Sequence, residues 1–201
     1  MFLARTEVAH QAGRGRPGAG RRERIFGNLS EEDAQAASMG GIWLSLKVLL
    51  LLGVANSAPI VAKRLLGDRW ATPLDLGLRF VDGRSLLGPG KSIRGVVVAV
   101  IATAVVAWPL DIAPQTGALV GAVSMAGDAL ASFVKRRLGV APSGRAIGLD
   151  QVPESLLPLL AVHGLLDLSA LQILGITAAF FALEIPLARW AFRLGLRDRP
   201  Y

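Results

Sequence analysis

The chain has 201 residues, 52% of them hydrophobic, a formal net charge of +7 and no cysteine. A mean hydropathy of +0.48 is too apolar for an ordinary soluble domain and points to a membrane protein. Without cysteine there are no disulfides, thiolate metal sites or cysteine nucleophiles, and His10 and His163 stand far apart, so a bound metal would be a hard cation on oxygen ligands, such as Mg2+.

In chain order, residues 1–40 come first. "GRGRPGAGRRER" and "SEEDAQAAS" are too polar to build a core and are expected to be a disordered extension, without the apolar run of a signal peptide; Met39 is a second candidate start. Residues 41–201 form the membrane domain, with apolar segments at about Ile42–Ala62, Ile93–Leu110, Thr116–Val134, Val152–Leu166 and Ala170–Trp190. A bilayer core of ~30 Å takes roughly 20 helical residues. The first, third and fifth segments meet this and the second nearly does. The fourth is short and contains Pro158 and His163, so it reads as a span or as a re-entrant or buried helix. The expected fold is all-α, with about five transmembrane helices and cytoplasmic loops forming a polar site.

Lys and Arg concentrate in cytoplasmic loops. Residues 63–94 carry Lys63, Arg64, Arg69, Arg79, Arg84, Lys91 and Arg94; residues 135–151 carry Lys135, Arg136, Arg137 and Arg145; the tail carries Arg189, Arg193, Arg197 and Arg199. The connections "DIAPQT" and "DLS" carry none. Five spans put all basic connections and the C-terminus on one side, in the cytoplasm, and the N-terminus outside, as expected for a multi-pass protein of the cell membrane. The positive charge thus marks topology. Nucleic acid is not needed to explain it, and with Tyr201 the sole tyrosine no stacking platform is evident.

Asp128 lies inside the third apolar segment, where an ionised carboxylate costs at least ~2.5–3.5 kcal/mol. At about 100° per residue, Ser132 lies at about +40° from it and Lys135 at about −20°, so the three share a stripe. Two readings stay open: an Asp–Lys pair capping the helix end, or a metal ligand at the mouth of a polar cavity with Arg136 and Arg137 on its rim. Glu184, near Arg189 and before Pro186, reads as structural. "SLLGPGKSIRG", residues 85–95, lacks the P-loop's first glycine (Ser85 stands there), has Pro89 among its would-be amide donors and follows no strand. It reads as a glycine-rich turn presenting Lys91, Ser92 and Arg94 to an anion, or as a topology-marking turn. Asp150, entering the fourth segment, is on the same side of the membrane as Asp128; the two could hold Mg2+ between them. Asp68, Asp75 and Asp82 read as solvated loop residues.

The run Gly127-Asp128-x3-Ser132-x2-Lys135-Arg136-Arg137, followed by Asp150-Gln151-x-Pro153, with "ANSAP" at 55–59 and "GPGKSIRG" at 88–95, resembles the CDP-archaeol synthase family over about residues 41–190. These are integral-membrane CTP:lipid-phosphate cytidylyltransferases, distantly similar to phosphatidate cytidylyltransferases. The resemblance implies a cytoplasmic active site, CTP, a lipid phosphate substrate and Mg2+. It implies Asp128 and Asp150 as metal ligands, Lys135 as a catalytic cation and Ser132 on the nucleotide phosphates. Lys91, Ser92, Arg94, Arg136 and Arg137 would serve phosphate binding, and Asn56 would line the cavity. The phosphatidate enzymes carry Pro-Gly-His-Gly-Gly before Asp-Arg; here the stretch is "PSGRAIGLDQ", which favours the archaeol branch. Competing expectations are a cytidylyltransferase for phosphatidate or another lipid phosphate, and a non-catalytic or ion-coupled transport protein using Asp128 and Glu184. A homodimer is compatible with the sequence.

Overall fold

The computed structural model describes residues 31–140, 146, 148–193 and 195. Five α-helices follow one another: α1 (Glu31–Leu66), α2 (Ile93–Ala107), α3 (Pro114–Arg137), α4 (Gln151–Val162) and α5 (Ala170–Arg193), with a 3-10 turn, Trp108–Leu110, extending α2. No strand occurs among the described residues, and only two isolated bridges, Pro73–Ser92 and Arg79–Ser85, tie the loop between α1 and α2. Residues 31–40, expected to be unstructured, are helical from Glu31; residues 1–30 lie outside the described residues.

Four stretches, Ser38–Leu66, Ile93–Leu110, Pro114–Arg137 and Ala170–Trp190, are long and apolar enough to cross a bilayer. The fourth apolar segment, α4, has only 12 residues, or about 18 Å, short of a ~30 Å core. Its last residue, Val162, and Leu168 after it belong to the buried apolar cluster that also holds Ile112.

Apolar side chains point both ways, as a bilayer demands. Val48, Leu51 and Leu52 of α1, Val120 of α3, Leu159 of α4 and Ile173, Ile176 and Phe180 of α5 are buried together. Val97, Ile101 and Val105 of α2 and Leu171 and Leu174 of α5 face outward. All four tryptophans, Trp43, Trp70, Trp108 and Trp190, are exposed and lie near the ends of spans, where amphipathic rings settle at the headgroup level.

Without a hydrophobic drive between helices in lipid, close backbone contact must hold them. Glycine supplies it along α3. A Cβ at Gly117 would sit 2.5 Å from the Thr103 carbonyl oxygen, and one at Gly121 would sit 2.3 Å from Thr103 Oγ1. A Cβ at Gly127 would sit 2.3 Å from the Pro153 carbonyl oxygen. The first two glycines seat α2 against α3. The third seats the start of α4 beside Asp128.

Candidate active site

The loop between α1 and α2 folds back on the basic end of α3. Arg137 donates to Asp82 Oδ1 at 2.6 Å and to the Ser85 carbonyl at 2.6 Å. Its guanidinium carbon lies 4.7 Å from the Phe80 ring centre and 5.0 Å from that of Phe133, within cation–π reach. Arg84 donates to the Arg136 and Arg137 carbonyls at 3.2 and 2.8 Å, a cation at a helix C-terminus that is otherwise short of donors.

Asp75, read from the sequence as solvated, is buried. Its carboxylate accepts the backbone N–H groups of Gly77 at 3.1 Å, Leu87 at 2.9 Å and Gly88 at 3.1 Å. Burial alone would raise its pKa, but these three donors outweigh it and hold the carboxyl below its ordinary value. The loop is thereby closed just before Lys91. Two backbone bonds, Leu74 N to the Lys91 carbonyl at 2.8 Å and Ile93 N to the Thr72 carbonyl at 3.0 Å, finish the clamp. Ser92 then caps α2, its hydroxyl accepting from Gly95 N at 3.2 Å. Arg94 donates to the Gly67 carbonyl at 2.8 Å and to that of Arg69, holding the end of α1 to the start of α2.

Under this loop lies a cavity of about 680 Å³. Asn56 lines it from α1, Lys91, Ser92 and Arg94 from the loop and α2, Asp128 and Lys135 from α3, and Asp150 from the start of α4. Seven of the sequence-expected site residues therefore meet at one opening. Asn56 lies on the turn opened by Pro59, which has no N–H for the Ala55 carbonyl.

The pairing inside the cavity differs from the intrahelical Asp128–Lys135 pair that the stripe on α3 allows. Asp128 Oδ2 is bound by Lys91 from the loop, and Lys135 instead reaches Asp150 Oδ1 at 2.5 Å. Both pairs are mostly sheltered, so their mutual attraction is less screened than at an open surface. Asp150 Oδ2 also accepts Ala146 N at 3.2 Å, fixing the carboxylate at the entrance to α4. Ser132, Arg136 and Arg137 do not line the cavity: Ser132 and Arg136 are buried on α3, and Arg137 is engaged with Asp82.

Three acidic residues complete the wall: Asp68, Glu154 and Glu184. Glu154 is buried and lines the cavity together with Asp128. The sequence signal for it was available, since Asp150 and Glu154 are four apart and share a helix face. Glu184, read as structural, also lines the cavity. Among the described residues, no cluster of three or more His, Asp or Glu side chains has metal-binding geometry as it stands.

Residues 42–201 match the model of the CarS-like CDP-archaeol synthase family. A CDP-archaeol synthase of Sulfurisphaera tokodaii is 36% identical over 157 residues, 74% of this chain and 89% of that protein. One from Thermofilum pendens is 32% identical over 169 residues, 81% of this chain and 82% of that protein. A solved structure described as an intramembrane enzyme for archaeal membrane lipids biosynthesis superposes with a TM-score of 0.61 at 29% identity, covering 71% of this chain and 90% of that one.

Proposed function

The chain belongs to the CDP-archaeol synthase family, and from that premise we propose how its cavity performs the reaction. The protein is a multi-pass membrane enzyme that transfers CMP from CTP to an archaeol-type lipid phosphate. A lipid phosphate oxygen attacks the α-phosphorus of CTP in line. The bond from that phosphorus to the β-phosphate bridging oxygen breaks, pyrophosphate leaves, and the CDP-lipid remains. The archaeol reading is favoured over phosphatidate by the named relatives, and an ion-coupled transporter has no support among them.

Neither substrate needs a strong base, because the attacking phosphomonoester is already anionic. The obstacle is the approach of one anion to another. The observation that carries the reading is the pair of sheltered lysines, Lys91 and Lys135, that line one cavity, each held on a carboxylate. Released to phosphate oxygens, they place two fixed cations in a partly dehydrated space, where they act more strongly than in water. Ser92 and Arg94 stand beside Lys91 at the α2 N-terminus, whose dipole also favours an anion.

The donor set fits a hard divalent cation: Asp128 and Asp150 offer carboxylate oxygens, no sulfur is at hand, and both are now balanced by lysines that a metal ion would free. Asp128 and Asp150 would hold Mg2+, which when bound neutralises and orients phosphate oxygens. The cavity faces the cytoplasm in this reading and the N-terminus lies outside, because the Lys/Arg-rich loop 63–94 roofs it. The lipid keeps its tails in hydrocarbon and brings its phosphate in at headgroup depth.

The test offers purified protein CTP, Mg2+ and, side by side, an archaeol-type phosphate and a diacyl phosphatidate, with products read by mass spectrometry. The expected product is the CDP-ether lipid. Asp128→Asn and Asp150→Asn are each expected to abolish it while yield and membrane insertion stay normal. Near-normal turnover by either variant would remove that residue from the metal site.

A further inference from the structure

Among the described residues, four that are not glycine have a left-handed backbone: Trp70 at φ 54°, Leu76 at 50°, Asp111 at 57° and Asp167 at 50°. Aspartate tolerates that region, whereas tryptophan and leucine enter it only when their surroundings impose it. Trp70 and Leu76 both lie in the loop between α1 and α2, and both hold a large apolar side chain outward, 76% and 70% exposed. We propose that this loop rests on the bilayer surface. Trp70 and Leu76 sit among the headgroups of the leaflet on that side, and Arg69 and Arg79 meet its anionic phosphates. The membrane thereby holds one wall of the cavity in place. The inference goes beyond the reaction proposed above and does not depend on it.

The backbone sets the depth. Arg94, in the first turn of α2, donates to the carbonyls of Gly67 and Arg69, and Ile93 N donates to the Thr72 carbonyl at 3.0 Å. Trp70 is therefore pinned on both sides to the start of a membrane span, the depth at which an indole settles. Leu76 follows one turn later. Its N–H donates to the Pro73 carbonyl at 3.1 Å, and Pro73 is bridged to Ser92 at the same helix start. The charge suits an anionic partner. Of the loop's acids, Asp75 is buried on backbone donors, Asp82 is held by Arg137 and Asp68 lines the cavity, whereas Arg69 and Arg79 are exposed. Exposed arginines beside apolar side chains at headgroup depth complement an anionic leaflet. The same segment gives Asp68, Ala71 and Leu74 to the cavity, so what fixes Trp70 outside fixes the wall inside. Val81 is also exposed, but it adjoins Asp82 at the far turn and is expected to stay in water.

The experiment uses the full chain, one copy per lipid nanodisc, which removes a second copy as the covering surface. The chain has no cysteine, so Leu76→Cys and Val81→Cys each carry a single environment-sensitive fluorophore. Discs are made of phosphatidylcholine alone or mixed with phosphatidylglycerol. The label at 76 is expected to emit further to the blue than that at 81, to be quenched by headgroup nitroxide lipid, and to be several-fold less accessible to aqueous iodide. Adding phosphatidylglycerol should deepen that shielding, and Arg69→Gln with Arg79→Gln should abolish the dependence on lipid charge. Trp70→Gly suits the left-handed backbone; it is expected to keep the melting temperature in detergent and to raise iodide access at 76 several-fold in the discs. Equal iodide access at 76 and 81 in both lipids would overturn the inference. So would shielding at 76 that ignores both lipid charge and Trp70→Gly, since the protein itself would then cover the site. The fluorescence needs no turnover, so a chain that passes this test and makes no CDP-lipid would sink the proposed reaction and leave the surface standing.

Discussion

Asp75 exchanges water for three backbone N–H donors, two of them more than ten residues along the chain. Hydrogen bonds to a charged group contribute about 1.5–3 kcal/mol, so Asp75→Asn is expected to lower stability by about 2 kcal/mol, read as a fall in melting temperature in detergent. The pH dependence has a definite sign. The folded pKa lies below the ordinary 3.8, so the stabilisation is complete above that value and is lost as pH falls through the folded pKa. The gap in melting temperature between wild type and Asp75→Asn should therefore narrow only on acidification below pH 3.8. Lys91 sits at the other end of the same loop. Lys91→Met keeps the stem and removes the charge; it is expected to cut kcat/KM by roughly 100-fold or more, measured as CDP-lipid formation. An Asx turn was legible in "DLG", where Asp75 precedes Gly77 by two. Its bonds to Leu87 and Gly88 were not, because nothing local says which distant amides a carboxylate will meet.

At the level of helices, hydropathy located the apolar stretch of each of the five helices within a few residues, though not the polar first turns of α1 from Glu31, because a bilayer sets both length and polarity only of the part inside it. Partners were harder to see. A stripe of Asp128, Ser132 and Lys135 on one helix allowed a pair within α3, yet Lys91 and Asp150 are the actual partners, since tertiary packing brings them nearer than the helix's own turns do. The Gly117-x3-Gly121 spacing was the readable sign of the α2–α3 crossing. Gly127→Ala tests the second crossing. Its Cβ would collide with backbone at Pro153, which cannot swing aside as a side chain can. A cost of about 1–3 kcal/mol is expected, read as a fall in melting temperature, together with a loss of CMP transfer, because Asp150, just before α4, and Glu154 on it both line the cavity.

For the whole molecule, the asymmetry of charge is the readable feature and its orientation is open to direct measurement. The chain has no cysteine, so single replacements report sidedness without a background. Val81 in the basic loop and Ala113 before α3 are both exposed. In intact cells a membrane-impermeant maleimide is expected to label Ala113→Cys and to reach Val81→Cys only after permeabilisation. The reverse pattern would turn the protein over in the membrane. Composition alone led to the bilayer and the linear pattern already marked the fourth segment as short, but the burial of Glu154 depends on how helices meet, which that pattern does not encode.

The two lysine–carboxylate pairs have a consequence for the order in which substrates load. Each ammonium is already occupied, so a bare polyanion meets a charge-neutralised wall at Lys91 and Lys135. A nucleotide that arrives with its own counter-ion gives the carboxylates a replacement partner and unlocks both ammoniums at once. Metal-free CTP should accordingly compete poorly with the metal-bound form, and free pyrophosphate should be a weak inhibitor until divalent ion is restored.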